Sequence, residues 1–191
     1  MIGDRTAGVR AAAITGNVRL AGQVGALGLD AVGARFTGGV TGAMVVQGSI
    51  ASTGYRFTTA PADTSKLDAD DLLQGGSALM IEGNVTGGIV LAIAPKDNST
   101  TDNDEDKDGI EDAKEGAAAI VTYGAAPAMV IGATDHAIAV GPIAGNGTGF
   151  GLQIDGTIAG NGVYSGVTGN GLVIGGRGGA VTIAGGMGVA G

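Results

Sequence analysis

One short unit recurs along this chain and constrains its fold more than any other feature: an apolar residue, any residue, Gly, any residue, then Val or Ile. It occurs at Ile14–Val18, Leu20–Val24, Phe36–Val40, Val46–Ile50, Ile81–Val85 and Ile154–Ile158, with a looser copy at Ile183–Met187. A local unit repeated from end to end is the signature of a repeat architecture, in which each copy buries its apolar side against the next. The period-2 alternation of Met44-Val-Val-Gln-Gly-Ser-Ile50 reads as a half-buried strand. The internal Gly permits a positive φ or the close backbone approach that a sharp strand-to-strand corner needs.

Composition narrows the choice. Glycine takes 40 of 191 positions but proline only 4, which excludes collagen and proline-rich linkers. A hydrophobic fraction of 44% excludes disorder for want of apolar surface, while 3% aromatics and no Trp exclude a conventional globular core. Small apolar residues with glycine suit a thin core whose layers are near-identical. The expectation is one all-β unit over 1–191, a glycine-rich, parallel β-helix-like β-solenoid with the apolar members of each unit pointing inward. Two excursions leave it. Residues 55–76 carry turn chemistry and one or two helical turns capped by Thr64 or Ser65; residues 96–115 carry the acids.

The net charge of −8 is the wrong sign for nucleic acid or an anionic membrane surface. No apolar run reaches the roughly 18 residues of a membrane span, so no membrane insertion is expected of this segment. There is no cysteine, hence no disulfide or thiolate metal site. The first residues do not form a signal peptide, and repeat pattern without a capping element runs to both ends. The sequence therefore leads one to expect a piece of something longer, or a chain that associates with itself, end to end or laterally.

Nine of the 18 acids lie between Asp97 and Glu115. Within that stretch, Asp104-Glu-Asp-Lys-Asp-Gly-Ile-Glu-Asp-Ala-Lys-Glu115 fits the calcium-loop pattern D-x-[DN]-x-[DN]-G-x5-E at every specified position. Ca²⁺ takes six to eight oxygens at about 2.3–2.6 Å. Asp104, Asp106 and Asp108 would supply carboxylates, Gly109 the tight turn and Ile110 its carbonyl. Asp112 would ligate directly or through water, and Glu115 would close the shell. Nothing amphipathic precedes Asp104, and the isoleucine sits one place early for a helix–loop–helix hand. The form Asp-x-Asp-x-Asp-Gly-Ile-x-Asp instead resembles the calcium loops of thrombospondin type 3 repeats.

Other signals are weaker. Gly160-x-Gly162-x-x-x-Gly166 is one residue too long for a dinucleotide fingerprint and has no βαβ setting. Gly175–Ile183 approaches a nonapeptide calcium repeat but has Ala180 where Asp is needed. His136, the single histidine, reads with Asp135 as a surface pair, and Asp68, Asp70 and Asp71 lack a turn glycine for a cation site. Arg5, Arg10, Arg19, Arg35, Arg56 and Arg177 are scattered in sequence and suggest no anion groove.

Gly54-Tyr-Arg-Phe-Thr-Thr, Leu67-Asp-Ala-Asp-Asp-Leu-Leu-Gln-Gly-Gly76, the loop Asp104–Glu115 followed by Tyr123–Gly132, and Gly160–Gly186 together carry a resemblance. From residue 54 onward the chain resembles the passenger region of autotransporter-type surface proteins of alphaproteobacteria, of the kind found in sphingomonads. The resemblance implies an extracellular or cell-surface, outer-membrane-associated segment with a structural or adhesive role and no enzymatic activity. In such proteins a signal peptide precedes the passenger and a C-terminal barrel follows it. Two alternatives stand beside it: a subunit of an extracellular filament made by end-to-end stacking, and a polysaccharide-acting β-helix enzyme. The last would need converging charged groups and stacking aromatics.

Overall fold

The computed structural model describes residues 1–107, 109–145 and 147–190. It is all-β, with 34% strand and 5% helix, and every paired strand runs parallel to its neighbour. The chain visits the same sheets in the same order, circuit after circuit. The first circuit holds β1 (Ala7–Ala11), β2 (Val18–Leu20) and β3 (Gln23–Leu27). The second holds β4 (Val32–Phe36), β5 (Met44–Val46) and β6 (Ser49–Thr53), and the third β7 (Leu79–Ile81), β8 (Ile89–Leu91) and β9 (Ala119–Tyr123). The fourth adds a strand: β10 (Met129–Ile131), β11 (Ile138–Val140), β12 (Leu152–Ile154) and β13 (Thr157–Asn161). The fifth holds β14 (Leu172–Ile174), β15 (Val181–Ile183) and β16 (Met187–Val189).

Pairing joins like positions of successive circuits. The sheets run β1-β4-β7-β10-β14, β2-β5-β8-β12-β16, β3-β6-β9-β13 and β11-β15. Single bridges Ile14–Val40–Val85–Val140 carry the last column back to the first circuit. Ala7 pairs with Val32 and Gln23 with Ser49, so an uninterrupted circuit takes about 25 residues.

The repeated unit lies at the corners. Val46-Gln-Gly-Ser-Ile50 links β5 to β6, and Ile154-Asp-Gly-Thr-Ile158 links β12 to β13. The central glycine is there for close approach. A Cβ on Gly48 would strike the Gly22 carbonyl oxygen, and one on Gly156 the Ala118 carbonyl oxygen. In each case the obstacle is backbone of the preceding circuit, and neither glycine has a positive φ.

The apolar members of the unit fill the interior. Val18, Phe36, Val40, Val46, Ile50, Ile81, Val85 and Ile154 are buried, while Ile14 and Ile158 are half-buried against the same cluster. Like stacks on like: Met44, Ile89 and Leu152 form one fully buried column in register. Each such side chain contributes about 1.5–3 kcal/mol relative to an exposed one. Polar side-chain atoms inside are paired among the described residues, except the Tyr164 hydroxyl. Ser52 Oγ lies 3.0 Å from Thr122 Oγ1, which also accepts from the Ala78 N–H at 3.0 Å. Burial weakens in the fifth circuit, where Ile174, Met187 and Val189 are exposed.

Two long connections leave the circuits, one between β6 and β7 and one between β8 and β9. In the first, the helical content is two 3₁₀ turns, Thr64–Lys66 and Asp70–Leu72. The cap of the first turn is Asp63, whose Oδ1 accepts from Ser65 N–H at 3.1 Å, and not Thr64 or Ser65. An Asp side chain reaches the free N–H two residues on without leaving the extended backbone a cap requires. Tyr55 anchors this excursion. It is buried, its ring meets Tyr164 edge-on at 4.9 Å, and its hydroxyl accepts from Gln74 Nε2 at 2.9 Å. No helix among the described residues is long and apolar enough to cross a membrane.

Candidate metal centre

The acidic insertion leaves after β8 and returns at β9, so its two ends are fixed by strands of adjoining sheets. Between them the backbone is held largely by its own side chains. Asp104 Oδ2 accepts from the Gly109 N–H at 3.1 Å, the Asp112 N–H donates to Asn103 O at 2.8 Å, and a 3₁₀ turn spans Asp112–Lys114. Gly109 has φ +88°, with nothing within 4 Å of a Cβ, so glycine is needed there for conformation and not for space. Lys107 shares the left-handed region at φ 58°. Its ammonium pairs with Asp102 and donates to Asp104 O at 2.9 Å.

Three carboxylates converge: Asp97, Glu105 and Asp112 place one oxygen each within 4.8 Å of one another. Asp97 is exposed, and Glu105 and Asp112 are half-buried. Glu105 is oriented by the Asn98 N–H, which donates to its Oε2 at 2.7 Å, and Asp112 Oδ1 accepts from the Glu105 N–H at 3.4 Å. The electrostatics follow from this crowding. Loss of solvent, then the like charges of Asp97, Glu105 and Asp104, push the Asp112 carboxyl above its ordinary value. By contrast, a hydrogen bond from Lys107 holds Asp102 below its ordinary value. An all-oxygen, anionic donor set of this kind suits a hard divalent cation, which would relieve the repulsion.

Of the residues singled out from the pattern, Asp112 belongs to this group. Asp104 is turned toward the Gly109 amide, Asp106 is exposed and Ile110 is half-buried. Asp108 lies outside the described residues. Glu115 points elsewhere. Its side chain is 1% exposed, accepts from Gln47 Nε2 at 3.0 Å and pairs with Arg19 at 3.3 Å, tying the end of the insertion to the second and first circuits. A fixed twelve-residue spacing misses Asp97, which lies outside the pattern. The only sequence signal for it was its place in the run of nine acids.

Other polar groups link the circuits. His136 Nδ1 lies 2.7 Å from Asp135 Oδ1 and Nε2 lies 2.9 Å from Glu82 O, which makes it a bridge between circuits. Glu82 is buried between Arg35 Nε at 2.7 Å and Arg177 Nη1 at 2.9 Å. Burial pushes its carboxyl up, but the hydrogen bonds and charge of Arg35 and Arg177 outweigh that and hold it below the usual glutamate value. Compared with known protein families, curated proteins and solved structures, the chain has no match.

Proposed function

We propose that this chain is a β-solenoid segment of an extracellular or cell-surface protein, with a structural or adhesive role and no catalysis, whose acidic insertion binds Ca²⁺. The observation that carries this reading is the parallel stacking of like residues circuit upon circuit. Such a stack makes a stiff rod with long faces, and function then sits in what leaves those faces. What leaves them here is the pair of excursions, and the acidic one holds the three convergent carboxylates. Asp97, Glu105 and Asp112 would hold the cation, and the ion would supply charge neutralisation and order. The resemblance to autotransporter passengers favours an outer-membrane-associated setting.

A filament subunit is the second reading. Ile2, Met187 and Val189, on the first and last paired positions of the stack, are 80%, 44% and 67% exposed, and edges of this kind accept further strands. Their partner would be further turns of the same polypeptide or a second copy. The test of the main reading is surface labelling: an antibody raised against residues 96–115, applied to intact cells expressing the gene. Staining without permeabilisation is expected, and staining only after permeabilisation would reject a surface role.

A further inference from the structure

Arginines that are scattered in sequence converge on one face of the first sheet. Arg10, in β1, and Arg35, in β4, are register partners on adjacent strands. Each sits between residues that pack into or against the core: Val9 and Ala11 in one strand, Ala34 and Phe36 in the next. Their side chains are therefore stacked outward, an arrangement of like charges that disfavours the pairing unless an anion sits between them. Arg5 joins them at the rim of a cleft of about 310 Å³, which lies at the small end for ligand pockets.

The acids nearby do not neutralise this cleft. Arg35 is forked onto Glu82 through Nε and Nη2, at 2.7 and 3.2 Å, and its Nη1 has no acceptor among the described residues. Arg5 makes a long, exposed contact of 3.8 Å with Asp30. The Arg10 side chain has no hydrogen-bond or ion-pair partner among the described residues. The backbone adds an independent mark. Only four described residues other than glycine have positive φ, and two of them, Arg5 at 53° and Asp30 at 54°, line this cleft. Strained residues of this sort gather where a side chain must be aimed at something.

We propose that this cleft binds an anionic sugar residue, a uronate or a sulfated monosaccharide unit within a polysaccharide. Arg10 and the open edge of Arg35 engage the carboxylate or sulfate by charge-assisted hydrogen bonds, the geometry for which guanidinium is suited. Asp30 accepts from a sugar hydroxyl. Its charge selects against a compact anion such as phosphate and for a ligand carrying both an oxyanion and hydroxyls. The Thr6 hydroxyl donates to Gly3 O at 2.7 Å and so keeps its lone pairs for a second hydroxyl. Ala7 and Val32, themselves register partners, supply an apolar floor for the C–H face of the ring.

This gives the adhesive reading its ligand class and rests on it, yet the two fail separately, because surface labelling and sugar binding are independent measurements. The experiment is calorimetry at low ionic strength with a galacturonate trisaccharide, a sulfated disaccharide, neutral maltotriose and inorganic sulfate. At least one of the two anionic sugars binds saturably. Arg10→Gln weakens it about ten-fold or more without lowering the melting temperature, since the Arg10 side chain makes no hydrogen bond or ion pair among the described residues and its charge repels that of Arg35. Asp30→Asn weakens sugar binding but not sulfate binding, and added salt weakens all of it. Absence of saturable binding by both anionic sugars overturns the proposal. So does binding that Arg10→Gln leaves intact, or inorganic sulfate binding as tightly as the sugars.

Discussion

Gly22 and Gly48 occupy the same place in the repeated unit, one circuit apart, and they should respond to alanine in opposite ways. Gly48 has the first circuit beneath it, and a Cβ there would meet the Gly22 carbonyl oxygen and the Ala21 carbonyl at under van der Waals distance. Gly22 has no circuit beneath it, and a Cβ there has nothing within 4 Å. Neither residue has a positive φ, so alanine fits both backbones conformationally. Gly22→Ala is then expected to stabilise by about 0.4–1 kcal/mol, through the reduced entropy of the unfolded chain. Gly48→Ala gains the same term but must push two hydrogen-bonded circuits apart, since the obstacle is backbone and not a movable side chain. Overpacking of this kind costs about 1–3 kcal/mol, and more where the surroundings are rigid. The shared entropic term cancels, so the pair should differ by about 1–3 kcal/mol in urea unfolding monitored by far-ultraviolet circular dichroism. Equal effects of the two substitutions, of either sign, would refute the claim that these glycines exist for turn-on-turn contact.

Other outcomes follow from the same geometry. Ile120, fully buried in β9 between Ile50 and Ile158, should cost about 2–5 kcal/mol as Ile120→Ala, measured by the same unfolding assay. Glu82→Gln removes the charge that joins Arg35 and Arg177 across circuits. It should cost about 1–3 kcal/mol, less than a fully enclosed pair because both arginines are partly in solvent. The His136 pKa is raised above the ordinary 6.5 by its hydrogen bond to Asp135. Its contribution to stability is fully present below the unfolded value and is lost as pH rises through the raised folded value. Melting temperature should accordingly fall as pH rises through and above the ordinary histidine range, and His136→Gln should flatten that part of the profile.

The all-β character of the fold was legible because the repeated unit encodes short strands directly. Alternation placed Val46, Ile50, Ile81 and Val85 inside, and the glycine between them marked the corner. Pairing partners were not legible. Nothing local in Arg10 announces Arg35 as its neighbour, because circuit length varies with each excursion and register is set by the stack. The same blindness limits the acidic insertion. Its consensus spacing named Asp104 and Glu115, yet Asp104 is turned to a backbone amide and Glu115 to Gln47 and Arg19. Asp97 joins Asp112 only because the two ends of the insertion are brought together by β8 and β9. The cap at Asp63 was misplaced by one or two residues, a boundary error that Asp-Thr-Ser in succession invites.

Calorimetry and thermal melting with Ca²⁺, Mg²⁺ and chelator test the central claim most directly, that the acidic insertion is a cation site which orders this stack. Bound Ca²⁺ should raise the melting temperature by mass action, about 2.7 kcal/mol of stabilisation at a hundred times the dissociation constant. Mg²⁺ should be a poor substitute, because it demands a tighter octahedron. Because the Asp112 carboxyl is raised above its ordinary 3.8, its ionisation disfavours the folded state as pH climbs past that value, and the cation should offset this. The Ca²⁺-induced shift is therefore expected to be larger at neutral pH than near about pH 4. Asp112→Asn and Asp97→Asn should each abolish most of it, with Asp70→Asn as the unaffected control. A heat of binding and a melting shift with millimolar Ca²⁺, lost in those two variants, are the predicted result; neither heat nor shift would leave the insertion a solvated acidic loop and contradict the claim.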